Sequence, residues 1–272
     1  IMAKELKIPI IHTYHTIYED YTHYITKGVL LDNKAKKAVR AFSKVCCNTV
    51  DEVIVPTEKV KELLRAYHVK RHIEVIPSGI DLDKFDEGRY QAEELDEIRT
   101  EYGIQKNDKV ILYLGRLSLE KNMEELLSYM PFYMKKHEDA KFLIVGDGPA
   151  SSHLKNMVKG LSCEKSILFL GEKPYDEVGK YYQLGDVFVS ASNSETQGLT
   201  FIEAMASGLP VIAKEDKCLN GIMEEGGNGF FFRSQEEFVH ALDNVLYSGK
   251  EEQYCKNAKE TAYRFSTHVF AS

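Results

Sequence analysis

Two basic and two acidic residues stand out in this chain because of their spacing and their place after short apolar runs. Arg116 and Lys121 lie five positions apart in the turn GRLSLEKN, so both cations can converge on one diphosphate. A guanidinium gives a forked contact and an ammonium gives a point charge, and together they can stabilise a departing phosphate. Glu195 and Glu203 lie eight positions apart in SETQGLTFIEA, where one carboxylate can hold a ribose diol and the other can face a hexose.

The loop between the two glutamates leads into a short apolar helix, TFIEAMAS, which ends at a Gly-Leu-Pro stop. The amides at the start of this helix can point at an anion, because the helix dipole is positive there. These amides belong to Gln197, Gly198, Leu199 and Thr200. The alternative is an ordinary strand–helix–strand unit whose glutamates face solvent.

The elements that must position these residues alternate regularly from Lys109 onward. Six apolar segments are separated by helical segments: VILYLG, FLIVG, ILFLG, VFVSAS, PVIA and GFFF. Strands without polar alternation are typical of a parallel sheet covered on both faces, so we predict an α/β, Rossmann-like domain. Four loops of unusual composition follow the first four strands: GRLSLEKN, GDGP, GEKPYDE and ASNSETQG. Ligands bind outside the carboxyl ends of such strands, so we expect these loops to form the site.

Three parts of the chain differ in pattern. Residues 1–80 contain three short strands and are interpreted as a truncated N-terminal Rossmann-like domain, residues 81–108 as a linker and charged helix, and residues 109–272 as a C-terminal ligand-binding domain. Three strands are too few for a self-contained α/β domain, so we expect the front of this domain to precede the chain.

The composition argues against several classes of protein. A hydrophobic fraction of 43% is enough for a packed core, and a net charge of −7 argues against a nucleic-acid partner. Five cysteines without metal-site spacing are typical of reduced thiols, which favours a cytoplasmic protein. No apolar run approaches the ~20 residues of a membrane-spanning helix.

Three motifs together resemble retaining glycosyltransferase family 4, whose members have the GT-B fold. They are E-x7-E from Glu195 to Glu203, the segment AMASGLPVIA, and G-R followed by K-N between Gly115 and Asn122. The resemblance implies a UDP-sugar donor, hexose transfer with retention of the anomeric configuration, and neither a cofactor nor an obligatory active-site metal. It also implies that residues 1–80 belong to the acceptor-side domain and residues 109–272 to the nucleotide-sugar-binding domain. By the same resemblance, a Gly-rich turn would precede the chain and the last crossover helix would continue past Ser272, so the given piece could bind its ligand without turnover.

The same resemblance implies a role for each matching residue. The cations would stabilise the leaving UDP, the second glutamate would hold the ribose, and the loop before it would orient the hexose and diphosphate. Catalytic candidates are His15, Arg116, Lys121 and Glu195, and donor-binding candidates are Gly115, Lys173, Thr196, Gln197, Gly198, Leu199, Thr200 and Glu203.

Several of these candidates have a plain structural alternative. The basic pair can form a salt-bridged start of the following helix, and GDGP is equally expected as a tight turn or as a direct ligand contact. Lys173 lies in a loop whose backbone reads the nucleobase in the family, but ordinary surface is as good an interpretation. His15 in HTYHT matches a family histidine near the hexose, although a single histidine after a strand is as often structural.

The front of the chain bears on the acceptor. HTYHTIYEDYTHYI resembles bacterial 1,2-diacylglycerol 3-glucosyltransferases, which are glycolipid synthases, and implies transfer of glucose to a lipid, diacylglycerol. Lys36, Lys37, Arg40 and Lys44 share one helical face that can contact an anionic membrane, such as the inner face of the plasma membrane. A solvated helix face is the alternative. Two other readings stay open: another acceptor (a sugar, polyprenyl lipid or protein), or a non-catalytic nucleotide-sugar-binding piece.

Overall fold

The computed structural model describes residues 5–24, 26 and 29–270. By their contacts these residues form two compact units. Unit 1 comprises Ile1–Ser78 with Ser194–Gly198, and unit 2 comprises Gly79–Asn193 with Leu199–Ser272. Each unit contains its own parallel sheet.

Unit 1 is a small α/β layer. Its elements are β1 (Ile11–Thr13), a 3-10 helix (Tyr18–Tyr24), α1 (Val29–Thr49), β2 (Glu52–Val55), α2 (Glu58–Ala66) and β3 (Ile73–Val75). The strands pair in parallel in the order β1-β2-β3. Alternate residues of β2, Val53 and Val55, are fully buried against Val60 and Leu64 of α2, as the period of a half-covered strand requires. No helix in the described ranges is long and apolar enough to cross a bilayer.

Unit 2 carries the larger sheet. Its strands are β4 (Lys109–Leu114), β5 (Ala140–Val145), β6 (Ile167–Gly171), β7 (Val187–Ser190), β8 (Val211–Lys214) and β9 (Gly229–Phe232). Its helices are α3 (Ala92–Glu101), α4 (Met123–Met134), α5 (Ser151–Val158), α6 (Val178–Tyr182), α7 (Leu199–Ala206), α8 (Gln235–Tyr247), α9 (Glu251–Tyr263) and α10 (Thr267–Phe270).

The strand order of this sheet defines where a ligand would bind. The order is β6-β5-β4-β7-β8-β9, and every pair is parallel. The chain winds outward from β4 in one direction and from β7 in the other, so the order reverses between these two strands. A crevice opens outside the carboxyl ends of the strands at such a switch point. The four loops of unusual composition follow β4, β5, β6 and β7, which are neighbours in the sheet.

The sheet is buried on both faces because consecutive residues in the middle of its strands are apolar. In β4, Ile111 and Tyr113 pack into the core formed with α4, α5 and α8, whereas Val110 and Leu112 pack into the opposite core with α6, α7 and α9. All four residues are at most 2% exposed. The predicted parallel α/β architecture is therefore confirmed.

One helix differs from its sequence-based prediction. The pattern predicts a helix from Glu120 to His137, but the structure has a 3-10 turn at Leu119–Lys121 and an α-helix that begins only at Met123. The break lies at Asn122, whose left-handed backbone (φ 52°, ψ 40°) cannot continue a right-handed helix.

Candidate functional site

A cavity of 620 Å³ opens at the carboxyl ends of β4, β5 and β6. It is lined by residues at the ends of these strands and in the segments after them: Leu114, Gly115, Arg116, Val145, Gly146, Asp147, Gly148, Glu172, Lys173 and Val178. Three of these, Gly115, Arg116 and Lys173, are predicted site residues. The sheet edge that the sequence indicates is therefore the edge that carries a cavity of ligand size.

Glycines allow the loops around this cavity to pack backbone against backbone. A Cβ placed on Gly146 would lie 2.0 Å from the carbonyl oxygen of Gly115, and one on Gly148 would lie 2.3 Å from that of Leu117. The loops are also joined by hydrogen bonds, because the Leu117 amide donates to Asp147 O at 3.0 Å and the Ala150 amide donates to Leu117 O at 3.0 Å. GDGP is thus both a tight turn and a wall of the cavity.

The two cations of GRLSLEKN occupy different places. Arg116 is exposed and lines the cavity, whereas Lys121 ends the 3-10 turn, is half-buried and, among the described residues, is outside the cavity lining. The acid between them, Glu120, is 9% exposed and accepts a hydrogen bond from Ser118 Oγ at 2.7 Å. The carboxylate of Glu124, the other acid considered for a salt-bridged helix start, lies 2.9 Å from His153 Nε2.

Glu203 is 7% exposed in α7 and accepts a hydrogen bond from Tyr182 OH at 2.9 Å. Burial raises the pKa of this carboxyl above its usual range, although the bond from Tyr182 opposes that shift. The Tyr182 hydroxyl oxygen also lies 3.4 Å from Thr200 O, in the first turn of α7. The carboxyl predicted to hold the ribose is therefore bonded by Tyr182, and its burial makes the ionised form less favourable than in an exposed glutamate.

The side chain of Lys173 contacts two tyrosines. Its ammonium donates to Tyr102 OH at 3.1 Å and lies 5.0 Å from the ring centre of Tyr181. Burial lowers the pKa of Lys173, but bonds to Tyr102 and Tyr181 outweigh it, so the pKa is raised and the side chain stays charged. This arrangement ties the loop to Tyr102 and Tyr181, and Lys173 is one of the residues that line the cavity.

The loop Ser194–Gly198 belongs to unit 1 by its contacts. Thr57 Oγ1 donates to Thr196 O at 2.7 Å, and Lys59 Nζ donates to Glu195 O at 2.8 Å. Gln197 is 3% exposed, and its side-chain amide both donates to Ser78 O (2.9 Å) and accepts from Ser78 N (2.8 Å). The loop is therefore held at two backbone carbonyls and through the Gln197 side chain, and ligand binding by its backbone N–H groups stays a prediction.

The other predicted residues are placed as follows. His15 is exposed in unit 1, in the loop after β1, next to the buried Tyr14. Gly198 is buried with a positive φ of 74°, a conformation that glycine adopts without strain. Leu199, 40% exposed, is the first residue of α7 and Thr200 is the second. The binding roles of all these residues stay predictions.

Several residues of the site escaped the sequence interpretation. Asp147 and Glu172 line the cavity, and the hydrogen bond from the Gly148 amide lowers the pKa of Asp147, so the cavity holds an ionised carboxylate that can accept from hydroxyl or N–H groups. The position of Asp147 and Glu172 directly after β5 and β6 was the sequence signal that could have identified them as site residues. In unit 1, Thr57 and Lys59 hold the loop Ser194–Gly198. No sequence signal pointed to them, because they bond the loop across 139 and 136 positions of sequence.

Comparison with known proteins agrees with this geometry. A family model described as glycosyl transferases group 1 matches residues 94–263, and one described as glycosyltransferase family 4 matches residues 1–84. The alpha-monoglucosyldiacylglycerol synthase of Streptococcus pneumoniae is 42% identical, over 90% of this chain and 55% of that protein. The protein of the same name from Acholeplasma laidlawii is 33% identical, over 99% of this chain and 69% of that protein. The chain thus spans about half of the first relative and just over two thirds of the second.

The fold is shared with solved structures. The crystal structure of Anabaena Alr3699/HepE in complex with UDP and glucose matches with a TM-score of 0.80 and 18% identity, over 98% of this chain and 70% of that chain. The predicted GT-B type is therefore confirmed, as is the family resemblance. With one family model matching over half of the chain and a relative 33% identical over 99% of it, this chain belongs to the group 1 glycosyltransferases of the family 4 type.

Proposed function

We propose that the protein transfers glucose from UDP-glucose to diacylglycerol with retention of the anomeric configuration. The observation that carries this proposal is the 42% identity, over 90% of the chain, to a protein named alpha-monoglucosyldiacylglycerol synthase. A second relative of the same name supports it. The cavity beside Arg116, at the carboxyl ends of β4, β5 and β6, supports the nucleotide-sugar part of the proposal.

The chemistry required of the donor side is the stabilisation of a leaving nucleoside diphosphate. Arg116 and Lys121 would neutralise the charge that grows on the diphosphate as the glycosidic bond breaks. Glu203 would accept from the ribose hydroxyls, and the backbone near Lys173 would contact the base. The acceptor hydroxyl would attack from the face on which the phosphate leaves, and that phosphate would take its proton. No cofactor and no active-site metal is part of this proposal.

The roles of His15 and Glu195 are proposed from their match to the family alone. His15 would meet the hexose or its developing charge, and Glu195 would orient the hexose together with the adjoining residues Thr196 to Leu199. A Glu195→Gln variant that retains full turnover would remove Glu195 from this scheme.

We also propose that unit 1 contacts an anionic membrane through α1. Leu31, Phe42 and Val45 share one face of α1 and are 54%, 67% and 60% exposed. Of the predicted basic residues, Arg40 bonds Glu19 and Lys36 pairs with Asp32 at 3.2 Å. Lys37 and Lys44 are exposed in addition. An exposed apolar stripe with flanking lysines is suited to the interface of an anionic bilayer.

Turnover tests the enzymatic proposal. Purified protein incubated with labelled UDP-glucose and diacylglycerol micelles is expected to yield a monoglucosyl lipid. Product only with a sugar, polyprenyl lipid or protein acceptor would replace the diacylglycerol assignment, and UDP binding without any turnover would indicate a non-catalytic piece. A melting temperature raised by NAD but not by UDP would overturn the nucleotide-sugar assignment altogether.

Binding measurements test the cations separately. We expect Arg116→Ala and Lys121→Ala each to weaken UDP binding about tenfold, the low end for a charge-assisted contact because neither side chain is fully buried. Arg233→Ala is the matched control, since Arg233 pairs with Glu215 at 2.6 Å, away from the cavity lining. Equal affinities for all three variants would remove the pair from the diphosphate site.

Vesicle binding tests the membrane proposal. The protein is expected to bind phosphatidylglycerol vesicles more tightly than phosphatidylcholine vesicles, and less tightly as salt is raised. Phe42→Ser should lower the affinity for vesicles about tenfold, because it removes an aromatic ring that the bilayer interface would bury. Phe132→Ser is the control, because Phe132 is 63% exposed on α4 of unit 2. Equal loss in both variants would refute a specific role for α1.

A further inference from the structure

A cluster of polar side chains in unit 2 surrounds Glu125, in the first turn of α4. Its Oε2 accepts from Asn122 Nδ2 and from Lys214 Nζ, the latter at 2.7 Å, and its Oε1 accepts from Tyr129 OH at 3.0 Å. Glu125 is 18% exposed and Lys214 is 31% exposed, so water screens the ion pair only in part. The Glu125 carboxylate thus accepts hydrogen bonds from three places: the turn before α4, α4 itself and the end of a strand.

The donor from the turn is the residue that breaks the predicted helix. Asn122 has a left-handed backbone, which is uncommon for a residue with a Cβ and is found chiefly with Asn and Asp. It joins the 3-10 turn Leu119–Lys121 to α4, so its φ and ψ set the direction in which that turn leaves the helix. Lys121 immediately precedes it. By holding the Asn122 side chain, Glu125 stabilises the backbone that carries Lys121.

The donor from the strand end ties this arrangement to the sheet. Lys214 is the last residue of β8, which pairs with β7 beside the switch point. The other side of the same turn is anchored independently, because Glu120 accepts at its carboxylate from Ser118 and at its backbone carbonyl from the Asn193 amide, at 3.0 Å. The turn bearing Lys121 is therefore held from two directions, and the Glu125 anchor joins it to the sheet edge by side chains alone.

We propose that Glu125 is a positioning residue for Lys121: through Asn122 and Lys214 it fixes the turn that presents the Lys121 ammonium to the donor diphosphate. This rests on the proposed function, in which Lys121 contacts that diphosphate. Glu125 itself has no contact with the donor in this scheme. Its effect on binding passes through Lys121, which makes the two residues energetically coupled.

A double-mutant cycle read by titration with UDP tests this coupling. Glu125→Ala should weaken UDP binding about tenfold, because misplacement of a binding group by ~1 Å has effects of this order or larger. In a Lys121→Ala background the same change should have less than about a twofold further effect, since the group being positioned is gone. Glu215→Ala is the matched control: it removes a neighbouring carboxylate that pairs with Arg233 and should leave UDP affinity unchanged.

Each outcome decides the matter. An unchanged affinity in Glu125→Ala, or an equal loss with and without Lys121, would overturn the positioning role while leaving UDP binding by the unmodified protein intact. An unmodified protein that does not bind UDP would instead overturn the proposed function, and the positioning role with it. If Glu125→Ala does not fold, Glu125→Gln keeps an acceptor oxygen and should show the same dependence on Lys121 with a smaller loss, about threefold.

Discussion

A single methyl group at Gly146 should disrupt the cavity, because the loops after β4 and β5 touch at that point. The Cβ of Gly146→Ala would lie 2.0 Å from the carbonyl oxygen of Gly115, and the backbone φ of 131° is one that alanine rarely adopts. The loops would have to separate by about 1.5 Å to restore an ordinary van der Waals contact of ~3.5 Å. Overpacking of this kind costs about 1–3 kcal/mol, and the unfavourable φ costs about 1–3 kcal/mol more.

Gly160→Ala separates these two contributions. Gly160 has a φ of 83°, but a Cβ built there meets no atom within 4 Å, so this variant bears the conformational cost without the clash. We therefore expect Gly146→Ala to be less stable than Gly160→Ala by about 1–3 kcal/mol, the overpacking part. For a unit of this size the difference is about 3–9 °C in melting temperature, at ~3 °C per kcal/mol.

Thermal unfolding and UDP titration of the two variants check this reasoning. Gly146→Ala should melt lower and, because the displaced loops line the cavity, should bind UDP at least about tenfold more weakly. Gly160→Ala should keep the UDP affinity of the unmodified protein. Equal melting temperatures together with equal UDP affinities would refute the close loop contact and its place in the site.

Three further predictions follow from the site. Since burial raises the pKa of Glu203, the unmodified protein should lose stability as pH rises from ~4.5, the ordinary pKa of a glutamate, through the raised value. Glu203→Gln can still accept from Tyr182 but has no proton to lose, so it should not show this loss of stability. The melting temperature of Glu203→Gln relative to the unmodified protein should therefore be higher near pH 7 than near pH 4. The same variant should bind UDP more weakly. Tyr102→Phe removes a bond to Lys173 and should loosen the base-side loop, weakening UDP binding about two- to fivefold without loss of turnover at saturating donor. Chelation with EDTA should leave glucosyl transfer unchanged, and a loss reversed by added Mg²⁺ or Mn²⁺ would contradict the metal-free scheme.

Much of unit 2 could be predicted from the sequence because its strands are buried on both faces. Where apolar runs of strand length alternate with helices along a chain, a buried parallel strand is the structure expected for each run. GFFF was predicted as a strand on this ground, and the structure shows the strand Gly229–Phe232. The helix Gln235–Tyr247 also has a local signal, because Ser234 caps it by accepting from the Glu237 amide. Local patterns decide such elements, so the sequence alone suffices.

The details of the site depend on contacts that local patterns do not encode. The left-handed backbone at Asn122 has no compositional signal beyond the residue type, and its support from Glu125 includes a lysine 89 positions away in the sequence. Glu203 was singled out by spacing, but its burial and its bond to Tyr182 depend on how α6 and α7 pack. Sequence reasoning therefore found the groups able to do chemistry and missed the groups that hold them.

Several locally unfavourable features of unit 2 lie at the edge where the predicted chemistry lies. Asn122 is the one residue in the described part of unit 2 that is not glycine and has a positive φ. Gly146 and Gly148 leave no room for a side chain, and Glu203 is a carboxyl buried at a cost to its ionised form. Each is disfavoured on its own and is retained through tertiary contacts. Such conflicts between local preference and fold are expected at functional sites, so stabilising substitutions at these positions should reduce donor binding, whereas those elsewhere in the unit should not.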